Sequence, residues 1–216
     1  LSALDTIDAE PTAAWRGTAV HAILEAWSKE DGHDPDKLRA RAEALMQSPA
    51  AHAVIRAMWQ PRLLAAIDWL AGEMREQIKD GRTPWLVEET GEAEIAGVTL
   101  HGVADRIDRC PDGSIAIVDY KTGMPPSPVA VVEGFAMQLG LLGAIAEKGG
   151  FKDIPATAST FEYWSLAKSR TGDFGYIASP FSKKYADVAN PDNFVTFAVR
   201  EFAEAAGKWL TGSEPF

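Results

Sequence analysis

The chain has 216 residues, 46% of them hydrophobic, and its 21 Lys and Arg against 31 Asp and Glu give a net charge of −10. That is enough apolar material for one sizeable core, but no run approaches the roughly 18 apolar residues needed to span a bilayer. The acidic balance excludes the broad basic footprint usual in nucleic-acid binders, and a single cysteine, Cys110, excludes an internal disulfide and an iron–sulfur cluster and fits a reducing, cytoplasmic setting.

The chain opens on Leu1 rather than Met and is read as one domain, residues 1–216, excised from a longer polypeptide. Residues 1–14 read as a partly ordered lead-in. Trp15, Val20, Ile23, Leu24 and Trp27 then recur at helical spacing. Asp31-Gly-His-Asp-Pro35 breaks that helix, and Asp36 to Gln47 forms a short charged one. Pro61 to Lys79 predicts a long amphipathic helix with Leu63, Leu64, Ile67, Trp69, Leu70 and Met74 on its apolar face. Strands follow at 85–96, 98–109 and 114–120. After a proline-rich loop, Phe135 to Ala146 reads as an apolar helix, Ala158 to Leu166 as a strand, and a final helix starts near Asp192 with Phe194, Phe197, Phe202 and Trp209 as apolar positions. Lys168, Arg170, Lys183 and Lys184 punctuate a loop-like stretch with few acids. The expected class is α/β, a mixed central sheet flanked by helices.

The chemistry concentrates in Gly102 to Gly123. Val98–Ile107 and Ser114–Tyr120 are β-branched runs, and Pro111-Asp112-Gly113 between them is turn chemistry. A hairpin centred on Asp112 pairs residues whose numbers sum to 224, so Asp105 faces Asp119 and Ile107 faces Ile117. Lys121 shares the Asp119 face because side chains alternate with period two. Opposed residues have Cβ atoms about 5 Å apart, where like charges repel. A divalent cation is the simplest reason for two carboxylates there. The bland alternative is an exposed hairpin whose acids pair with Arg106, Arg109 and Lys121. Elsewhere, Gly17, His21 and Glu25 form an i, i+4 row whose small first residue would let another backbone approach. His33, His52 and His101 have no comparable context.

The string Ala104-Asp-Arg-Ile-Asp108, Asp112-Gly113, Val118-Asp-Tyr-Lys-Thr-Gly123 resembles the RecB-like branch of the PD-(D/E)XK nuclease superfamily, most of all the nuclease domains of AddB-type subunits of helicase–nucleases. The resemblance extends over nearly the whole chain. It implies a restriction-endonuclease-like core and a Mg²⁺-dependent DNA exonuclease (Mn²⁺ substituting) that trims ends, single-stranded ones above all, in double-strand-break repair beside an AddA-type helicase partner. Asp105 and Asp119 would then hold the metal with His21, which matches a family Gly-x-x-x-His in Gly17-Thr-Ala-Val-His21, and with the backbone carbonyl of Tyr120. Lys121 would assist the water or neutralise charge. The family also places a glutamate on the preceding strand, where Glu88 matches better than Glu89; alternation lets at most one of them face the site. A family Gln-x-x-x-Tyr survives as Gln138 with Leu142 at the tyrosine position. A buried Gln on so apolar a helix would need a hydrogen-bonding partner. Two other readings stay open: a stand-alone phage-type nuclease, and a non-catalytic RecB-like domain that only guides DNA or holds a partner.

Overall fold

Period-two and period-3.6 patterning resolve into six helices and five strands in the computed structural model, which describes residues 13–48, 51, 53–152 and 155–210. Residues 1–12 of the expected lead-in, and His52, lie outside the described residues. The strands β1 (Thr83–Ile95), β2 (Val98–Arg109), β3 (Ile115–Lys121), β4 (Ala158–Lys168) and β5 (Phe174–Ala178) hydrogen-bond in the order β1-β2-β3-β4-β5. β1–β2 and β2–β3 are antiparallel. Between β3 and β4 run the helices α4 (Pro128–Val132) and α5 (Gln138–Glu147), the kind of helical crossover a mixed sheet uses. The expected α/β class, a mixed sheet with flanking helices, is the observed one. No helix among the described residues is long and apolar enough to cross a membrane.

The chain divides into two compact units. The first comprises residues 1–76, 120–124 and 165–176 and contains α1 (Ala13–Glu30), α2 (Pro35–Gln47) and most of α3 (Ala53–Lys79). Asp34 caps α2, its carboxylate accepting from the Asp36 amide, with Pro35 in the first turn where its missing N–H costs nothing. The Trp27 indole donates to the Asp34 carbonyl at 2.7 Å, which ties the end of α1 to the start of α2. Val20, Leu24, Trp27, Leu38, Met46, Leu63, Ile67 and Leu70 form the buried interior. α3 begins eight residues before the predicted start and runs through Pro61. An interior proline costs about 3 kcal/mol. Packing on both sides of it, with Trp59 edge-on to Trp15 at 6.0 Å and Leu63 buried beyond, offsets that cost. β5, expected as loop, lies against α3, where a Cβ on Gly175 would overlap the Trp69 ring.

The second unit comprises residues 77–119, 125–164 and 177–216. Its core packs Leu86, Ile107, Ile117, Leu142, Ile145, Phe161 and Phe194. α5 lies on β1 and β2 and also against α6 (Phe194–Ala205). That last approach is close because Gly140 has no Cβ, which would sit 2.6 Å from the Cβ of Ala198. α5 starts at Gln138, not Phe135, because Gly134 at φ +80° turns the chain and the Phe135 and Ala136 amides close back onto the Ala130 carbonyl. Phe135 is left exposed. Trp209, expected on an apolar face, is also partly exposed, in a π-helical turn after α6.

A charged network is buried in this unit. Arg106, fully enclosed, forms an ion pair with Asp108 at 2.8 Å and stacks over Trp164 at 4.1 Å. Arg82 joins Asp108 at 2.8 Å to Glu162 at 2.9 Å, and Glu162 accepts from the Trp164 indole. Removing one partner of such a network strands the others in low dielectric. Arg106→Ala is therefore expected to lower stability by about 3–5 kcal/mol in urea denaturation; a loss under about 1 kcal/mol would show the network to be dispensable.

Candidate metal centre

The β2–β3 ladder pairs Arg106 with Val118, Ile107 with Ile117, Asp108 with Ala116 and Arg109 with Ile115, each pair summing to 224. These four pairs keep the predicted register; carried one residue further along each strand, it would bring Asp105 opposite Asp119. Both acids are buried, Asp105 at 8% and Asp119 at 2% exposure. The bland alternative pairs these acids with Arg106, Arg109 and Lys121. Arg106 points to the opposite face of β2 toward Asp108, and Arg109 stacks on Trp85 at 4.4 Å.

A third acid comes from β1. Its pairs Val87–Arg106 and Glu89–Ala104 flank Glu88 and Asp105, and a carboxylate oxygen of each of these two lies within 4.8 Å of the other. Glu88 has φ +47°. Left-handed backbone costs a non-glycine residue about 1–2 kcal/mol, and such strain persists where the surroundings impose it, often at functional sites. One residue on, Glu89 turns to Lys152 at 3.3 Å, so Glu88 and not Glu89 is the glutamate beside Asp105. Glu88→Gly should relieve both the strain and a like charge. The metal-free chain is expected to gain about 0.5–1 kcal/mol in thermal denaturation while nuclease activity falls. A stability loss above about 1 kcal/mol would make Glu88 a structural residue.

Tyr163 on β4 was not singled out by sequence. It is buried, and burial first, then the Asp119 carboxylate, hold its phenol well above the usual tyrosine range. A lone tyrosine in an apolar strand carries no signal of this; only the non-local pairing of β3 with β4 brings it near.

In the first unit, His21 on α1 places Nε2 3.1 Å from the Tyr120 carbonyl oxygen. As it stands, the imidazole N–H donates to that carbonyl. Adjacent ligands of an octahedral ion with bonds of about 2.1 Å are also about 3 Å apart, so the same separation suits two donors on one cation. Tyr120 follows Asp119 in β3 and precedes Lys121, which is half-buried at the strand's end. Gly17 does not serve the expected close approach: a Cβ there would make ordinary contact with Thr122 Oγ1 at 3.9 Å. Glu25, the last of that row, pairs with Lys29 at 2.8 Å.

Gln138 is the first residue of α5 and is exposed, so the burial that would have demanded a partner is absent. Leu142, at the family's tyrosine position, is a buried core residue. His101 pairs with exposed Glu92 at 3.2 Å and His33 packs edge-on to Trp27 at 5.0 Å. Both are structural or surface groups.

The chain matches the PD-(D/E)XK nuclease superfamily over residues 1–213. The chain belongs to that superfamily, which implies a nuclease acting by metal-dependent phosphodiester hydrolysis. It is similar to an uncharacterized protein of Rickettsia bellii, 26% identical over 157 residues, which covers 68% of this chain and 19% of that protein. It is similar too to uncharacterized protein RT0391 of Rickettsia typhi, 26% identical over 228 aligned residues, covering 98% of this chain and 26% of that protein. The chain thus spans only about a fifth to a quarter of the length of these relatives.

Proposed function

We propose that the chain is a Mg²⁺-dependent deoxyribonuclease domain of RecB-like, AddB-like type, an exonuclease that shortens DNA ends during break repair. The observation that carries this reading is the antiparallel β2–β3 ladder, whose register, extended by one pair, would bring Asp105 opposite Asp119 with Lys121 two residues on. Hard oxygen donors close together fit a hard divalent ion, and the Glu88–Asp105 separation suits shared coordination. Asp105, Asp119 and Glu88 would hold the ion, with the Tyr120 carbonyl and His21 completing the set. Mn²⁺ would substitute. The ion supplies charge neutralisation on the phosphate and a more acidic bound water. The Lys121 ammonium orients the attacking water or offsets charge on the phosphoryl oxygens. Gln138, by its motif and its exposed place at the start of α5, contacts the DNA strand.

In this proposal the chain works inside a larger assembly with an AddA-type helicase partner. The much greater length of its relatives supports this, as does the net charge of −10, which gives little long-range attraction to DNA. Threading a strand to the site raises its effective concentration and so the rate. The test is hydrolysis of end-labelled linear and of circular single-stranded DNA with Mg²⁺ and with EDTA. Slow, Mg²⁺-dependent shortening of the linear strand alone is expected, with a strong gain when the helicase partner is supplied. Cutting of the circle would make the chain an endonuclease, and absence of cleavage in every arm would refute the reading.

A further inference from the structure

The first unit contains a cavity of about 350 Å³ that the metal centre does not use. Arg16 of α1, Trp59 and Arg62 of α3, and Lys168 at the end of β4 line it, over a floor that includes Thr122 and Gly123. In a chain of net charge −10 this wall carries three cations and, among the described residues, no carboxylate. Arg62 and Lys168 are exposed, while Arg16 and Trp59 are half-buried, so cationic heads and an indole ring share one accessible recess. Its floor begins one residue past Lys121, and consecutive Cα atoms are only about 3.8 Å apart. The floor of the recess thus follows the proposed catalytic lysine directly in the chain.

We propose that this pocket is a subsite for one nucleotide of a single DNA strand, with a backbone phosphate against Arg16, Arg62 and Lys168 and the base on the Trp59 ring. The proposal rests on the nuclease reading above for its choice of ligand. Guanidinium forks match phosphate oxygens, and stacking on an indole accepts any base because every base has a π-face. Neither feature alone points to a nucleotide. Together in a recess of ligand-pocket size, roughly 300–1,000 Å³, they fit one and fit a free inorganic anion poorly, since the anion leaves the ring unused.

Binding of a short fluorescein-labelled oligothymidine, followed by anisotropy in EDTA so that no cleavage occurs, separates the parts. Each of Arg16→Gln, Arg62→Gln and Lys168→Gln should weaken binding roughly fivefold to tenfold and flatten the plot of log affinity against log salt by about 0.7. Trp59→Leu should weaken binding about tenfold without changing that slope, and Trp59→Phe should restore most of it. Arg200→Gln, on α6 beside Glu201, should change nothing. Unchanged binding in the cation variants, or displacement of the strand by inorganic phosphate with Trp59→Leu still binding normally, would overturn the subsite. Because binding is read without metal, the two claims fail separately. A wild-type chain that binds through this pocket but never cleaves sinks the nuclease reading. Cleavage that persists undiminished in the pocket variants sinks the subsite.

Discussion

Asp119→Asn is expected to abolish DNA hydrolysis and to lower Mn²⁺ affinity by about 100-fold or more in calorimetric titration. The substitution keeps shape and removes one of two buried acids that the extended β2–β3 register would set opposite each other. Losing even a supporting partner of a metal ligand costs about 10- to 100-fold in affinity or activity, and a direct ligand sits above that range. The fall in rate should exceed about 10³-fold, since metal stabilisation of transition-state charge is worth several kcal/mol. In the metal-free state the same change should leave stability level or slightly raised, because like charges facing each other across a ladder cost about 0.2–1 kcal/mol. Wild-type Mn²⁺ affinity in this variant would dismiss Asp119 as a ligand.

Lys121→Ala should lower kcat by about 10²- to 10⁴-fold, the range of a positioned proton-transfer or charge-offsetting group, while Mn²⁺ affinity stays within about twofold. An ammonium donates and cannot ligate a cation, so binding and rate must part company. A parallel loss of both would assign Lys121 to holding the acids in place. The contrast with Asp119→Asn is the informative feature, since one variant should lose the ion and the other should keep it and stall.

The parts of the fold that were legible in the sequence are those set by local pattern. Pro111-Asp112-Gly113 fixed the turn, period-two alternation fixed the faces, and the two together gave the β2–β3 register that the ladder adopts. α2, with its Asp34 cap and Pro35, was equally local. What escaped depends on distant partners. Pro61 reads as a helix start because proline disfavours helix in the residue before it, yet packing of Trp59 and Leu63 carries α3 through it. β5 has five residues and a central glycine, too weak a strand pattern without β4 beside it and Trp69 over Gly175. The left-handed backbone at Glu88 has no sequence signature, because nothing in Glu88-Glu89 marks the first as the strained one. The basic pocket was half legible: Lys168 stood out in an acid-poor stretch, but its meeting with Arg16, Trp59 and Arg62 needed the tertiary fold.

The central claim is that Asp105 and Asp119 face each other to hold a divalent cation, and anomalous diffraction from crystals soaked in Mn²⁺ tests it most directly. A peak about 2.1 Å from carboxylate oxygens of both acids, with Glu88 turned toward it, is the predicted result. No peak there at saturating Mn²⁺, with the two carboxylates bonded to protein groups instead, would contradict the account.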